Sequence, residues 1–137
     1  MKKIVLLACL ALLGVALAHS RPVKIVPAMG ATVKTAPKTV AITFDEAVES
    51  NFSTFKVHAY TGALTDAAMD SFSEGKLKLK NDAAARADTG IVASGSTKNI
   101  VINLKPKLKA GTYLVIWRIL GADTHGVDGN SYFKIKP

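Results

Sequence analysis

Through most of the chain beyond residue 22, apolar and polar residues alternate with a period of two. Val40, Ile42 and Phe44 interleave with Thr39, Ala41 and Thr43, and Phe55, Val57 and Ala59 with Lys56, His58 and Tyr60. Leu77 and Leu79 sit between lysines, and Ile100, Ile102 and Leu104 alternate with Val101 and Asn103. Tyr113, Val115, Trp117 and Ile119 share one face of a longer run. Phe133 and Ile135 do the same among Tyr132, Lys134 and Lys136. Each run is bounded by Gly, Pro, Asn, Asp or Ser, as half-buried strands are. With residues 23–26 added, about seven short strands predict an all-β fold, a Greek-key β-barrel or sandwich. No segment carries a convincing amphipathic helical stripe. The alanine-rich stretches 63–73 and 82–88 are expected to form a helical turn inside a loop.

A proline and a glycine in Leu104-Lys105-Pro106-Lys107-Leu108-Lys109-Ala110-Gly111-Thr112-Tyr113 place a turn before the tyrosine that opens a strand. Greek-key sandwiches often tie such a hydroxyl back to upstream backbone. Tyr113 and Trp117 are therefore expected in structural roles.

The first residues do not belong to this pattern. Lys2 and Lys3 precede an apolar run from Ile4 to Leu17, and Ala16 and Ala18 occupy the positions a signal peptidase reads. Residues 1–18 are read as a cleavable signal peptide, and 19–137 as one domain with neither linker nor internal repeat. Cys9, the only cysteine, lies in the leader with too little apolar core before it for a lipoprotein cut. Taking 18 residues from 137 leaves 119, enough for one core, and losing Lys2 and Lys3 takes the formal charge from +8 to +6. The remaining lysines are scattered, often on alternate residues, so they are expected on solvated strand faces. Few aromatics stand among them to stack bases, which argues against nucleic acid.

Cleavage after Ala18 makes His19 the first residue of the mature chain. Its free α-amine and Nδ1 can close one chelate ring on a metal. Asp123-Thr124-His125 offers a carboxylate and a second imidazole, and in an extended segment residues two apart point to the same side. Three nitrogens and one oxygen suit the tetragonal preference of Cu(II), the strongest binder among first-row divalent ions. His19, Asp123 and His125 are thus the candidate metal ligands, in a chain expected to be periplasmic. His58 stands on the polar face of a strand and is expected to be exposed. After cleavage only Met29 and Met69 remain, too few for a thioether Cu(I) site.

The chain resembles the CopC family of periplasmic copper-resistance proteins. The resemblance is carried by His19 and by Pro27-Ala28-Met29-Gly30-Ala31. It continues through Val40-Ala41-Ile42-Thr43-Phe44-Asp45-Glu46-Ala47-Val48, with Phe52-Ser53 following. Gly111 to Arg118 and Ala122-Asp123-Thr124-His125-Gly126-Val127-Asp128-Gly129 complete it. It implies a seven-stranded Greek-key barrel of cupredoxin or immunoglobulin type, and Cu(II) held by His19, Asp123 and His125. Two departures stand out. The methionine-rich loop that some members carry after the Phe-Ser pair is absent, which marks a Cu(II)-only member. Gly126 replaces the proline that commonly follows the second histidine. Any inner-membrane transporter that partners the chain is a separate protein.

The function expected is sequestration or delivery of Cu(II), without catalysis. One alternative is a histidine-brace copper oxidase like the polysaccharide monooxygenases. That chemistry needs an open equatorial position, which the Asp123 carboxylate would fill. The other is a metal-free structural β-sandwich.

Overall fold

A computed structural model of the chain describes residues 20–121 and 126–137. Among these residues eight strands form two four-stranded sheets, packed face to face as a sandwich that does not close into a barrel. In chain order they are β1 (Pro22–Val26), β2 (Ala31–Val33), β3 (Thr39–Glu49), β4 (Thr54–Tyr60), β5 (Asp88–Val92), β6 (Ser96–Leu104), β7 (Gly111–Leu120) and β8 (Gly126–Ile135). One sheet has the order β1-β3-β6-β5 and the other β2-β8-β7-β4. All pairings are antiparallel except β2 with β8.

The alternating residues meet as expected. Val40, Ile42 and Phe44 of β3 and Ile100 and Ile102 of β6 pack against Val57 of β4, Val115 and Trp117 of β7 and Phe133 of β8. The hydroxyl of Tyr113 donates to Lys109 O at 2.7 Å, so the tyrosine is tied to upstream backbone as predicted.

Three local expectations are corrected. The short strands β2 and β5 carry too few alternating residues to stand out from the flanking turns. Leu77 and Leu79 do not lie in a strand: Leu77 ends a 12-residue helix, α1 (Asp66–Leu77). Residues 63–73 therefore open a full helix, capped by Thr65, whose Oγ1 accepts from Ala68 N at 3.3 Å.

The helix exists because β7 is apolar on both faces. Leu114 and Ile116 point away from the main core, and α1 covers them with Met69 and Leu77, while Phe72 and Tyr60 close the edge. The stripe Met69, Ser73, Leu77 repeats every four residues. Its middle member is polar but buried, its hydroxyl donating to Met69 O at 2.7 Å. That serine masks the helical period in the sequence.

Candidate metal centre and its supports

His19, Asp123 and His125 all lie outside the described residues. The chain on either side of them is described, and both flanks arrive at the same end of the sandwich.

The first flank is the start of β1. Arg21 N donates to Asp45 Oδ1 at 2.6 Å, and Asp45 N donates to Arg21 O at 2.9 Å. Glu46 N adds a second donor to the same carboxylate oxygen at 2.8 Å. The amide of Arg21 foremost holds the Asp45 carboxyl below the usual carboxylate range, helped by that of Glu46. Next along, Ser20 is buried, and its Oγ lies 3.4 Å from Ala47 O. A shift in register makes this possible. β3 pairs with β6 at Thr43↔Asn99 and resumes at Val48↔Thr97, so the segment between bulges and takes up the chain start instead.

The second flank is the β7–β8 hairpin, paired to its end at Leu120↔Gly126. Its stem is clamped by Arg118, which donates from Nε and Nη2 to both Asp128 oxygens at 2.6 and 2.7 Å. Leu120 N donates to Ser53 Oγ at 3.0 Å, and that hydroxyl donates to Glu49 O at 2.8 Å. Gly121 forms a bridge with Val48.

The residue after His19 thus rests on Ala47, and the residue before the 122–125 connection pairs with Val48. Consecutive Cα atoms lie only about 3.8 Å apart, so the flanks are neighbours on one strand. Asp45, Glu46 and Glu49 bring three carboxylates to this end, beside the cations Arg21 and Lys98. Sequence reasoning did not single out Asp45 as a functional support. The signal was present in Phe44-Asp45-Glu46-Ala47, where an acidic pair interrupts an alternating strand.

His58 is corrected most sharply. It is 3% exposed, not on a solvated face, because α1 and the segment after it cover the outer side of β4. Its Nε2 lies 3.5 Å from Asp82 Oδ2 without a hydrogen bond, and its ring meets Phe72 edge-on at 6.0 Å. Burial pushes its pKa down, nearby Lys76 adds to this, and Asp82 partly opposes it. Lys56, two residues away on the same face, is also buried, against the expectation of solvated lysines. Its ammonium donates to Lys76 O at 2.8 Å, Leu79 O at 2.6 Å and Asp82 Oδ2 at 3.0 Å. The pair closes the C-terminal end of α1 onto the sheet. Among the described residues no three His, Cys, Asp or Glu side chains cluster to hold a metal.

Met69 is buried on the inner face of α1, whereas Met29 is exposed in the β1–β2 turn. These two thioethers therefore occupy different environments on different elements.

The CopC domain model matches residues 22–136. Copper resistance protein C of Pseudomonas syringae pv. tomato is 30% identical over 123 residues, covering 90% of this chain and 85% of that protein. The crystal structure of CopC from Methylosinus trichosporium OB3b superposes with a TM-score of 0.64 at 23% identity, over 87% of this chain and 95% of the other, a likeness of fold. PcoC from Escherichia coli, described as a methionine-rich copper resistance protein, gives a TM-score of 0.62 at 28% identity, over 87% and 100%. The present chain contains only three methionines, Met1 among them.

Proposed function

The chain belongs to the CopC family, and from that premise we propose that it is a periplasmic carrier of Cu(II), bound by His19, Asp123 and His125 once residues 1–18 are removed. Copper is the cargo. His19 binds through its α-amine and imidazole, and Asp123 and His125 complete an equatorial set of three nitrogens and one oxygen.

The observation that carries this reading is the meeting of the two flanks on β3, Ser20 at Ala47 and Gly121 at Val48. A terminal residue and a four-residue connection tethered this closely can share one ion at a small entropic cost. The carboxylates of β3 and the scarcity of thioethers favour a hard, oxidised ion over Cu(I). The chain holds and releases copper without turning over a substrate, because the carboxylate occupies the position an oxygen-activating site must leave open. In this reading an inner-membrane copper transporter would receive or supply the ion.

The test is to express the chain with its leader, verify by mass that it begins at His19, and titrate Cu(II) under EPR. One tight equivalent with a tetragonal, nitrogen-rich spectrum is expected. A single residue added before His19, or His125→Ala, should weaken binding at least a hundredfold. Unchanged affinity in either variant rejects the assignment, and ascorbate-driven peroxide production would replace the carrier with an oxidase.

A further inference from the structure

Seven lysines gather at the opposite end of the sandwich. They come from segments 33–39, 104–112 and 133–137, none of which contains Asp or Glu. These segments are joined there. Leu104 N donates to Lys38 O at 2.9 Å, Lys136 N donates to Val33 O at 2.9 Å, and Gly111 pairs with Ile135. Lys34, Lys38, Lys107, Lys109 and Lys136 are exposed, and Lys105 and Lys134 half-buried. Two hollows share Lys105 and Lys107: one of about 420 Å³ also lined by Arg86 and Lys109, the other of about 680 Å³ also lined by Lys38. The carboxylates nearby are few. Asp66 opens α1 at this end, whereas Asp82 and Asp88 are buried and bonded to Lys56 and to Val57 N. Asp45, Glu46 and Glu49 lie at the far end of β3.

We propose that this pole docks the protein on a bilayer surface rich in anionic phospholipid headgroups. The kind of cation selects this partner. Recognition of a particular carboxylate or phosphate favours the fixed fork of arginine. Here the one arginine, Arg86, is turned to Asp82 and Asp88, with Nη1 and Nε 3.8 and 3.4 Å from their oxygens. Lys105 donates to Ala83 O and Ala84 O at 2.9 and 3.2 Å. The other lysines stand on flexible stems, from three segments spread across the tip, which suits a diffuse field of headgroups. Exposed Pro106 and Ala110 stand between them, and the exposed residues of these segments include no aromatic to stack on bases. Each lysine brought near an anionic surface is worth roughly fivefold in partitioning. β7 runs from this pole to the candidate metal end, about 30 Å away at strand rise. Docking would therefore point that end into solvent.

The metal-free protein, expressed with its leader and purified, is sedimented with vesicles of phosphatidylcholine alone or with added phosphatidylglycerol. Binding only to the phosphatidylglycerol vesicles, abolished by high salt, is expected. K34Q/K38Q/K107Q/K109Q should weaken it more than a hundredfold. The charge-matched control K24Q/K78Q/K80Q/K98Q, whose lysines are exposed away from this pole, should weaken it less than tenfold. Thermal melts of both variants establish that they fold. No binding, or equal losses in the two variants, overturns the proposal. Tighter capture by soluble polyglutamate than by the vesicles also overturns it, in favour of an acidic protein partner. No copper enters the assay, so its outcome is independent of the metal assignment.

Discussion

Lys56 and Asp82 face each other at 3.0 Å beneath the end of α1, with 3% and 7% of their side chains exposed. Both were taken out of water and they compensate each other, while the Lys56 ammonium also donates to two backbone oxygens. Removing one partner of such a pair leaves a buried charge and costs about 3–5 kcal/mol. Lys56→Met is expected to lower stability by that amount in urea denaturation. The double variant K56M/D82L should lose much less than the sum of the single losses, since it removes both charges together. Additive losses would show that the two side chains act separately.

His58 makes stability depend on pH. Burial foremost, then the charges of Lys76 and Lys56, hold its pKa below the usual histidine value, against the pull of Asp82 and Asp88. The unfolded chain thus takes up a proton near pH 6.5 that the folded chain resists. Stability tied to this residue is complete above that pH and falls as the pH drops towards the folded value. Asp82 adds a second loss at more acid pH. Burial raises its pKa, but the bond and charge of Lys56, together with Arg86, outweigh this and hold it below the usual range. Urea midpoints measured from pH 7 to 5 should decline, and His58→Leu should flatten that decline. An equal slope in the variant would assign the titration elsewhere.

These two residues also show where sequence reading stops. The inner face of each long strand was legible because alternation reports one buried side, and Tyr113, Trp117 and Phe133 fall where that rule puts them. Lys56 and His58 were read as solvated by the same rule. It fails there because a helix covers the second face, and burying a Lys or His becomes tolerable only once Asp82 is brought in from 26 residues away. The warning lay in Leu114 and Ile116, apolar residues on what should have been the wet side of β7. The candidate metal end was legible as donors alone. That Arg21 would lock onto Asp45, and Gly121 onto Val48, depends on a bulge in β3 that no local residue type announces.

Gly129 lies opposite Trp117 in the β7–β8 register, and a Cβ there would come 2.5 Å from Trp117 Cε2. The indole is buried in the core, which leaves it little room to swing aside. Gly129→Ala is expected to cost about 1–3 kcal/mol through overpacking. Trp117 is the only tryptophan in the chain. The strain should therefore appear directly as a shifted emission maximum in the folded variant. Unaltered emission and stability would mean the backbone relaxes around the methyl group.

Asp45 tests whether the described flank serves the candidate metal end. Its Oδ1 accepts from Arg21 N and Glu46 N, and the residue before Arg21 rests on Ala47. The contacts of this carboxylate are backbone amides, so it is read as a support that holds the backbone at Arg21, two residues after His19, and not as a ligand. Asp45→Asn keeps an acceptor at that place, whereas Asp45→Ala removes it. If the proposed ligand set is right, loosening a support of this kind should weaken Cu(II) affinity by about 10–100-fold. Asp45→Ala is therefore expected to fall in that range, with Asp45→Asn between it and the parent. The side chain is exposed, so the melting temperature should hardly move in either variant. Calorimetric titration with Cu(II) beside a thermal melt separates the two effects. Full affinity in Asp45→Ala would show that β3 does not orient the terminal histidine, and an equal fall in stability would reduce Asp45 to a fold-holding residue.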